Sequence, residues 1–219
     1  MKQVTFNSRG FTLVELLVVI TIITILAGLT LATVRFATIK GATEKTRGEI
    51  FAMVAALESY KADNGDYPKD ATTNAIDARN KPDVLTTTGS SACMSASVTL
   101  YKALSGDVGS IPRQYGAVDP VTGVKQTVYM PFKANMLSPK FAPGTTPPAV
   151  TALVDPFKNV YGYSTIGGDV GTAGSALNPD ATNGQTKGYN PTYDLWSTVD
   201  ADRAGATPID AWMSNFKGR

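Results

Sequence analysis

The chain has 219 residues, 20 Lys and Arg against 18 Asp and Glu for a net charge of +2, no His and a single Cys. That length supports one domain and an appendage, and the near balance of charge supplies no strong field for nucleic acid or anionic lipid. Without His there is no imidazole triad and little basis for a zinc site, and Cys93 alone closes no intrachain disulfide and forms no C-x-x-C pair.

All four Glu (Glu15, Glu44, Glu49, Glu58) precede residue 60, whereas the Asp residues begin at Asp63. Glu favours helices and Asp favours caps and turns, so the split predicts a long helix followed by strands and loops. Residues 11–34 hold one charge, Glu15; as a helix they reach about 36 Å, enough for a hydrocarbon core of roughly 30 Å. From 35 to 65 the apolar residues Phe36, Ile39, Ile50, Met53, Val54, Leu57 and Tyr60 recur mostly at spacings of three or four, the pattern of an amphipathic helix. If the two segments are continuous, residues 12–62 make a helix of about 75 Å. Gly65 suits its C-terminal cap, and Pro68 prevents continuation.

Residues 66–219 read as a loop-rich β domain, rich in the chain's 20 Gly and 13 Pro. Residues 69–97 show no sustained period and read as a loop region, followed by a short helix over 100–104. Strands are predicted over 126–130, 160–166 and 193–197, with Pro139, Pro143, Pro147 and Pro148 marking an extended connection. The absence of helical crossovers favours a small antiparallel sheet, hence an α+β fold. No G-x-S-x-G elbow or P-loop is present, and Gly167-Gly168 and Gly171-x-x-Gly174 read as flexible turns, so the expectation is not an enzyme.

Three readings compete for the N-terminus. A cleaved secretory signal would use Lys2 and Arg9 as its basic region and Leu26-Ala27-Gly28 as its exit. A plain membrane anchor fits the length. Neither explains a carboxylate at Glu15, which costs roughly 2.5 to 3.5 kcal/mol on insertion scales at a helix centre. The third reading uses the whole string Arg9-Gly10-Phe11-Thr12-Leu13-Val14-Glu15-Leu16-Leu17-Val18-Val19-Ile20, which resembles the prepilin leader of type IV pilins and type II secretion pseudopilins.

That resemblance implies a leader over 1–10, removal by prepilin peptidase between Gly10 and Phe11, methylation of the new Phe11 amine, and Glu15 as the assembly acid at the fifth mature position. It implies that Glu15 meets the Phe11 ammonium of a neighbouring subunit, an exchange that offsets the desolvation of both charges. The charges flanking the apolar run fall on both sides, so a cytoplasmic N-terminus is likewise taken from the resemblance.

Further blocks are similar to the major pseudopilin of type II secretion. They are residues 57–68 (LESYKADNGDYP), residues 155–163 (DPFKNVYGY), with Phe157 where Trp is usual and Lys158 where Gly is usual, and residues 193–197 (YDLWS). The stretch 69–154 is longer than the family pattern and reads as an insertion, and the Tyr and Trp residues read first as core packing. The resemblance implies calcium after the last strand, through carbonyls of Leu195 and Ser197 and carboxylates of Asp200 and Asp202, although Arg203 sits beside them. A solvated Asp turn is the plainer alternative.

The domains expected are thus 1–10 leader, 11–34 membrane and assembly helix, 35–65 amphipathic helix and 66–219 β domain. The resemblance implies a homo-oligomeric helical filament built from membrane-stored subunits by a platform and motor complex. It also implies an inner-membrane protein with its C-terminal domain in the periplasm, and no nucleic-acid partner. A type IV pilus subunit, major or tip-located and ligand-binding, is the alternative.

Overall fold

The computed structural model describes residues 11–79, 87–109, 113–140, 144–168, 187–198 and 212–216. The expected leader 1–10, the pair Asp200 and Asp202, Arg203 and the 171–174 turn lie outside them. The chain divides into two units, the first ending at Gly41 and the second starting at Ala42.

Helix α1 runs Leu13–Asn64, close to the expected bounds. In the first unit its large apolar side chains face outward: Leu13 is 80% exposed and Leu31 73%. It is the one helix among the described residues long and apolar enough to cross a membrane. The hydroxyls along this stretch are satisfied by the helix itself, since Thr21 donates to the Leu17 carbonyl at 2.8 Å and Thr33 to the Leu29 carbonyl at 3.1 Å. Such back-bonding lets threonines sit in hydrocarbon without orphaned donors. The helix ends where Gly65, at φ +82°, donates its N–H to the Lys61 carbonyl at 2.7 Å, the left-handed cap that glycine adopts without a Cβ penalty.

In the second unit α1 buries Ile50, Met53, Ala56 and Leu57, spacings that place them along one stripe. They pack with Tyr67, Leu100, Tyr101, Leu104, Phe132, Leu153, Tyr161, Tyr163 and Leu195 in the main core. A second cluster joins Ile76, Cys93, Ala96, Trp196, Trp212 and Phe216. Both Trp residues and Tyr67, Tyr101, Tyr161, Tyr163 and Tyr193 are therefore core residues, as expected, whereas Tyr189 is exposed.

Helix α2 spans Thr87–Ser105, a correction to the loop expected over 69–97 and the five-residue helix at 100–104. Its buried face is Cys93, Ala96, Ser97, Leu100, Tyr101 and Leu104, a regular three-and-four spacing. Small and polar residues occupy its first half, so the period is faint in the sequence although the packing is complete. The expected strand 126–130 is also absent. Instead, the amides of Tyr129 and Met130 donate to the Leu104 carbonyl at 2.8 and 3.0 Å, so this segment satisfies a carbonyl that the end of α2 leaves open. Just before it, residues 118–125 form a short hairpin: Val118 bridges Lys125, and the Gly123 N–H donates to the Asp119 carbonyl at 2.8 Å.

The sheets are small and antiparallel, giving the α+β architecture expected. Strands β1 (Leu137–Ser138) and β2 (Ala152–Leu153) pair as one ribbon. Strands β3 (Gly162–Ser164), β4 (Asp194–Ser197) and β5 (Met213–Ser214) form a three-stranded sheet in the order β3-β4-β5. The expected strand over 160–166 is thus shorter, because Ile166–Gly168 turns into a 3-10 helix. A Cβ on Gly162 would lie 2.0 Å from Cε2 of Trp196, so the absence of a side chain there admits the indole. Gly167 is not a loose turn either, since a Cβ there would lie 2.0 Å from the Asn190 carbonyl oxygen.

Two tyrosine hydroxyls bond back to α1, one from the residue before β3 and one from the loop after the helix. Tyr161 donates to Glu49 at 2.6 Å and Tyr67 to Glu58 at 2.9 Å. Burial, with the Glu58 bond second, pushes the Tyr67 hydroxyl up to about 12, and burial likewise raises Tyr161. Both therefore remain protonated donors at neutral pH.

Candidate functional site

The N-terminal motif is built around the first turn of α1. Phe11 and Thr12 precede the helix, and Phe11 is 77% exposed. The Thr12 N–H donates to Oε2 of Glu15 at 2.9 Å, and the Glu15 N–H donates back to Oγ1 of Thr12 at 3.2 Å. The Thr12 hydroxyl also donates to Glu15 Oε2, at 2.8 Å. This reciprocal pair is a capping box, in which two orphan amides of the helix end are satisfied by each other's side chains. The Thr12-x-x-Glu15 spacing that specifies it is plain in the sequence, where Glu15 reads only as the assembly acid.

The box refines what Glu15 does before any neighbour arrives. Its carboxylate already accepts hydrogen bonds from Thr12, so the acid is not bare in the isolated subunit. All its Thr12 donors are neutral, however, and among the described residues no cation pairs with the carboxylate. A cation placed at the helix end is still the partner that removes the cost of holding that charge in an apolar setting. Gly10, the other half of the processing pair, lies outside the described residues.

The strand blocks singled out in the sequence form one connected structure. Asp155-Pro156-Phe157-Lys158 is a tight turn: the Lys158 N–H donates to the Asp155 carbonyl at 3.0 Å, and Val154 bridges Val160 across it. Asp at the first position and Pro at the second are the residues this turn favours, and Gly is favoured at the fourth. Lys158 instead holds φ +76°, a left-handed conformation that costs a side-chain-bearing residue roughly 1 to 2 kcal/mol. The Asp155 carboxylate accepts from the Asn159 N–H at 2.9 Å and from the Ser197 hydroxyl at 2.5 Å, which links the turn to β4. Burial raises the Asp155 carboxyl above its ordinary value, with those hydrogen bonds opposing.

Asp194, at the start of β4, has a similar setting. Its carboxylate accepts from the amides of Tyr189 at 2.7 Å and Asn190 at 3.0 Å, and burial still pushes it up to about 6.

Of the four residues expected to hold calcium, Leu195 and Ser197 are described. The Leu195 carbonyl accepts the Asn215 N–H at 3.0 Å in the β4–β5 ladder, and the Ser197 hydroxyl is donated to Asp155. These two residues do not fit a cation site by themselves, since calcium takes six to eight oxygens and the ladder already uses one of the two carbonyls. No group of three acidic, thiol or imidazole ligands stands together among the described residues.

A model of the prokaryotic N-terminal methylation motif matches residues 5–31. The chain is 42% identical over 66 residues to type II secretion system core protein G of Escherichia coli strain K12, an alignment covering 30% of this chain and 46% of that protein. It is 42% identical over 77 residues to the core protein G of Aeromonas hydrophila, covering 35% and 52%, and 38% identical over 66 residues to that of Pectobacterium carotovorum subsp. carotovorum, covering 30% and 42%. The chain spans about half the length of the curated relatives it matches. No solved structure matches it. The likeness to prepilin-type proteins, and to the secretion core protein among them, is carried by the N-terminal region.

Proposed function

Starting from an N-terminus of the prepilin methylation type, we propose that this chain is a structural subunit of a type II secretion pseudopilus. In this reading prepilin peptidase cuts between Gly10 and Phe11 and methylates Phe11, and the processed subunit waits in the inner membrane with its β domain in the periplasm. A platform and motor complex then draws subunits into a helical filament. The observation that carries the reading is the capped, charged end of an outward-facing apolar helix, at Thr12 and Glu15, inside the matched motif. The outward-facing apolar side chains of α1 suit lipid before assembly and other copies of the same helix after it. Loss of Lys2 and Arg9 with the leader takes the 20 basic side chains to 18, equal to the 18 acidic ones, so stacked subunits repel little.

The capping box dictates the test. Glu15→Gln keeps an N3 acceptor for the Thr12 amide but removes the charge, whereas Glu15→Ala removes both. Charge-driven assembly predicts that neither variant forms filaments in cells carrying the secretion machinery, while both remain in the membrane fraction. Wild-type filament yield from Glu15→Gln would reduce Glu15 to a helix cap.

Calcium at Leu195, Ser197, Asp200 and Asp202 belongs to the same proposal and rests on the two carboxylates. A folded-state ligand at a hundredfold excess over Kd adds about 2.7 kcal/mol, so millimolar calcium should raise the melting temperature of the detergent-solubilised chain and not that of Asp200→Ala/Asp202→Ala. An equal response from both proteins would remove calcium from the account.

A further inference from the structure

The end of α1 carries a chemical hazard that is plain in the sequence. Asn64 is the last residue of the helix, and Gly65 follows it. In an Asn-Gly pair the glycine nitrogen can attack the asparagine side-chain carbonyl carbon, since glycine has no Cβ to obstruct the approach. The new N–Cγ bond closes a succinimide ring, the Cγ–Nδ2 bond breaks, and Nδ2 leaves as ammonia with the proton from the glycine nitrogen. Water then opens the ring to aspartate or isoaspartate. Both residues are exposed, and a Cβ on Gly65 would meet nothing within 4 Å among the described residues. Neither burial nor crowding therefore keeps water and base away.

Hydrogen bonding closes the site instead. The attacking atom is engaged, because the Gly65 N–H donates to the Lys61 carbonyl at 2.7 Å. The side chain is drawn the other way: Asn64 Nδ2 donates to the Tyr60 carbonyl at 2.9 Å, one turn back towards the N-terminus, the direction in which helical side chains lean. The same Nδ2 donates to the Tyr129 hydroxyl at 3.1 Å, and that hydroxyl donates to Oδ2 of Asp63 at 3.1 Å. Both donors of the leaving amide are thus in use. Tyr129 is itself fixed, its N–H donating to the Leu104 carbonyl at 2.8 Å and its ring meeting Tyr60 edge-on with centroids 5.3 Å apart.

The helix end is what this arrangement preserves. An acid at position 64 would stand beside Asp63 and Asp66 at the negative end of the helix dipole, and it would no longer donate to Tyr60 or Tyr129. Isoaspartate would also insert a methylene into the backbone and move the Gly65 N–H out of register with Lys61.

We infer that Asn64-Gly65 is a deamidation site that the folded chain holds closed, with Tyr129, from the stretch longer than the family pattern, as its guard. This needs only the second unit and no filament. The full chain in detergent is incubated in mildly alkaline buffer, with and without denaturing urea. Aspartate and isoaspartate at position 64 are counted by mass spectrometry in the tryptic peptide spanning residues 62–69. The folded chain should convert at least about tenfold more slowly than the unfolded one, since attack waits on local opening of the cap. Tyr129→Phe keeps the ring and removes only the hydroxyl, so below its melting temperature it should convert about fivefold faster than the wild type, the worth of one hydrogen bond. In urea the two chains should convert alike. Equal rates in folded and unfolded wild type would overturn the closure, a comparison that needs no variant. A wild-type rate in folded Tyr129→Phe, or a difference between the chains in urea, would overturn the guard.

Discussion

Lys158 shows how a single residue can hold strain that the surrounding turn enforces. The Asp155-Pro156 start and the Val154–Val160 bridge fix the geometry, and the fourth position must then take a positive φ. Lys158→Gly should therefore stabilise the protein by about 0.5 to 1 kcal/mol, because relief of the left-handed strain outweighs the extra freedom glycine has when unfolded. Chemical denaturation would show this as a higher midpoint with an unchanged slope. A lower midpoint would mean the lysine side chain makes contacts that outweigh its backbone cost.

Asp194 supplies a residue-scale prediction in pH. Its folded pKa, about 6, lies above its ordinary value of 3.8, so the folded state binds a proton more readily than the unfolded chain. Its contribution is then fully present below about pH 4 and is lost as pH rises towards 6, the reverse of a salt-bridged carboxylate. The stability of the wild type relative to Asp194→Asn should fall between pH 4 and 7, with a ceiling on the order of 3 kcal/mol. A difference that is the same at both ends would show that Asp194 does not titrate in that window.

At the scale of elements, β3 and β4 depend on one missing side chain. The Trp196 indole lies over Gly162 and stacks on Trp212 with ring centroids 6.4 Å apart. Gly162→Ala must push the indole out of its cluster and should cost about 3 kcal/mol, near the upper end for overpacking. Retention of the parent melting temperature would mean that β3 shifts freely against α1, contrary to the Tyr161–Glu49 bond beside it.

The elements also differ in how legible they were. Helix α1 announces itself through an unbroken apolar run, a three-and-four stripe and Gly65, and it was found to within two residues. Strand β4 is legible within 193–197 because a short run holding Tyr193, Leu195 and Trp196 is bounded by turn residues such as Asn190 and Pro191. Helix α2 escaped because Cys93, Ala96 and Ser97 make its buried face where larger residues would have shown the period. Strands β1, β2 and β5 have two residues each, too few for any alternation to register. The capping box was written openly as Thr12-x-x-Glu15, but the motif that contains it drew attention to the acid alone.

For the whole molecule, the matched motif and the exposed apolar helix belong to the first unit, and the long insertion to the second. Entry into the filament is assigned to the first unit. That assignment presupposes that the chain is processed as a prepilin, and the mass of the membrane-extracted protein tests that premise most directly. Expressed with a prepilin peptidase, the chain should lose residues 1–10 and gain one methyl group on Phe11. A mature N-terminus near Ala27, or an intact leader in the presence of active peptidase, would contradict the account at its root.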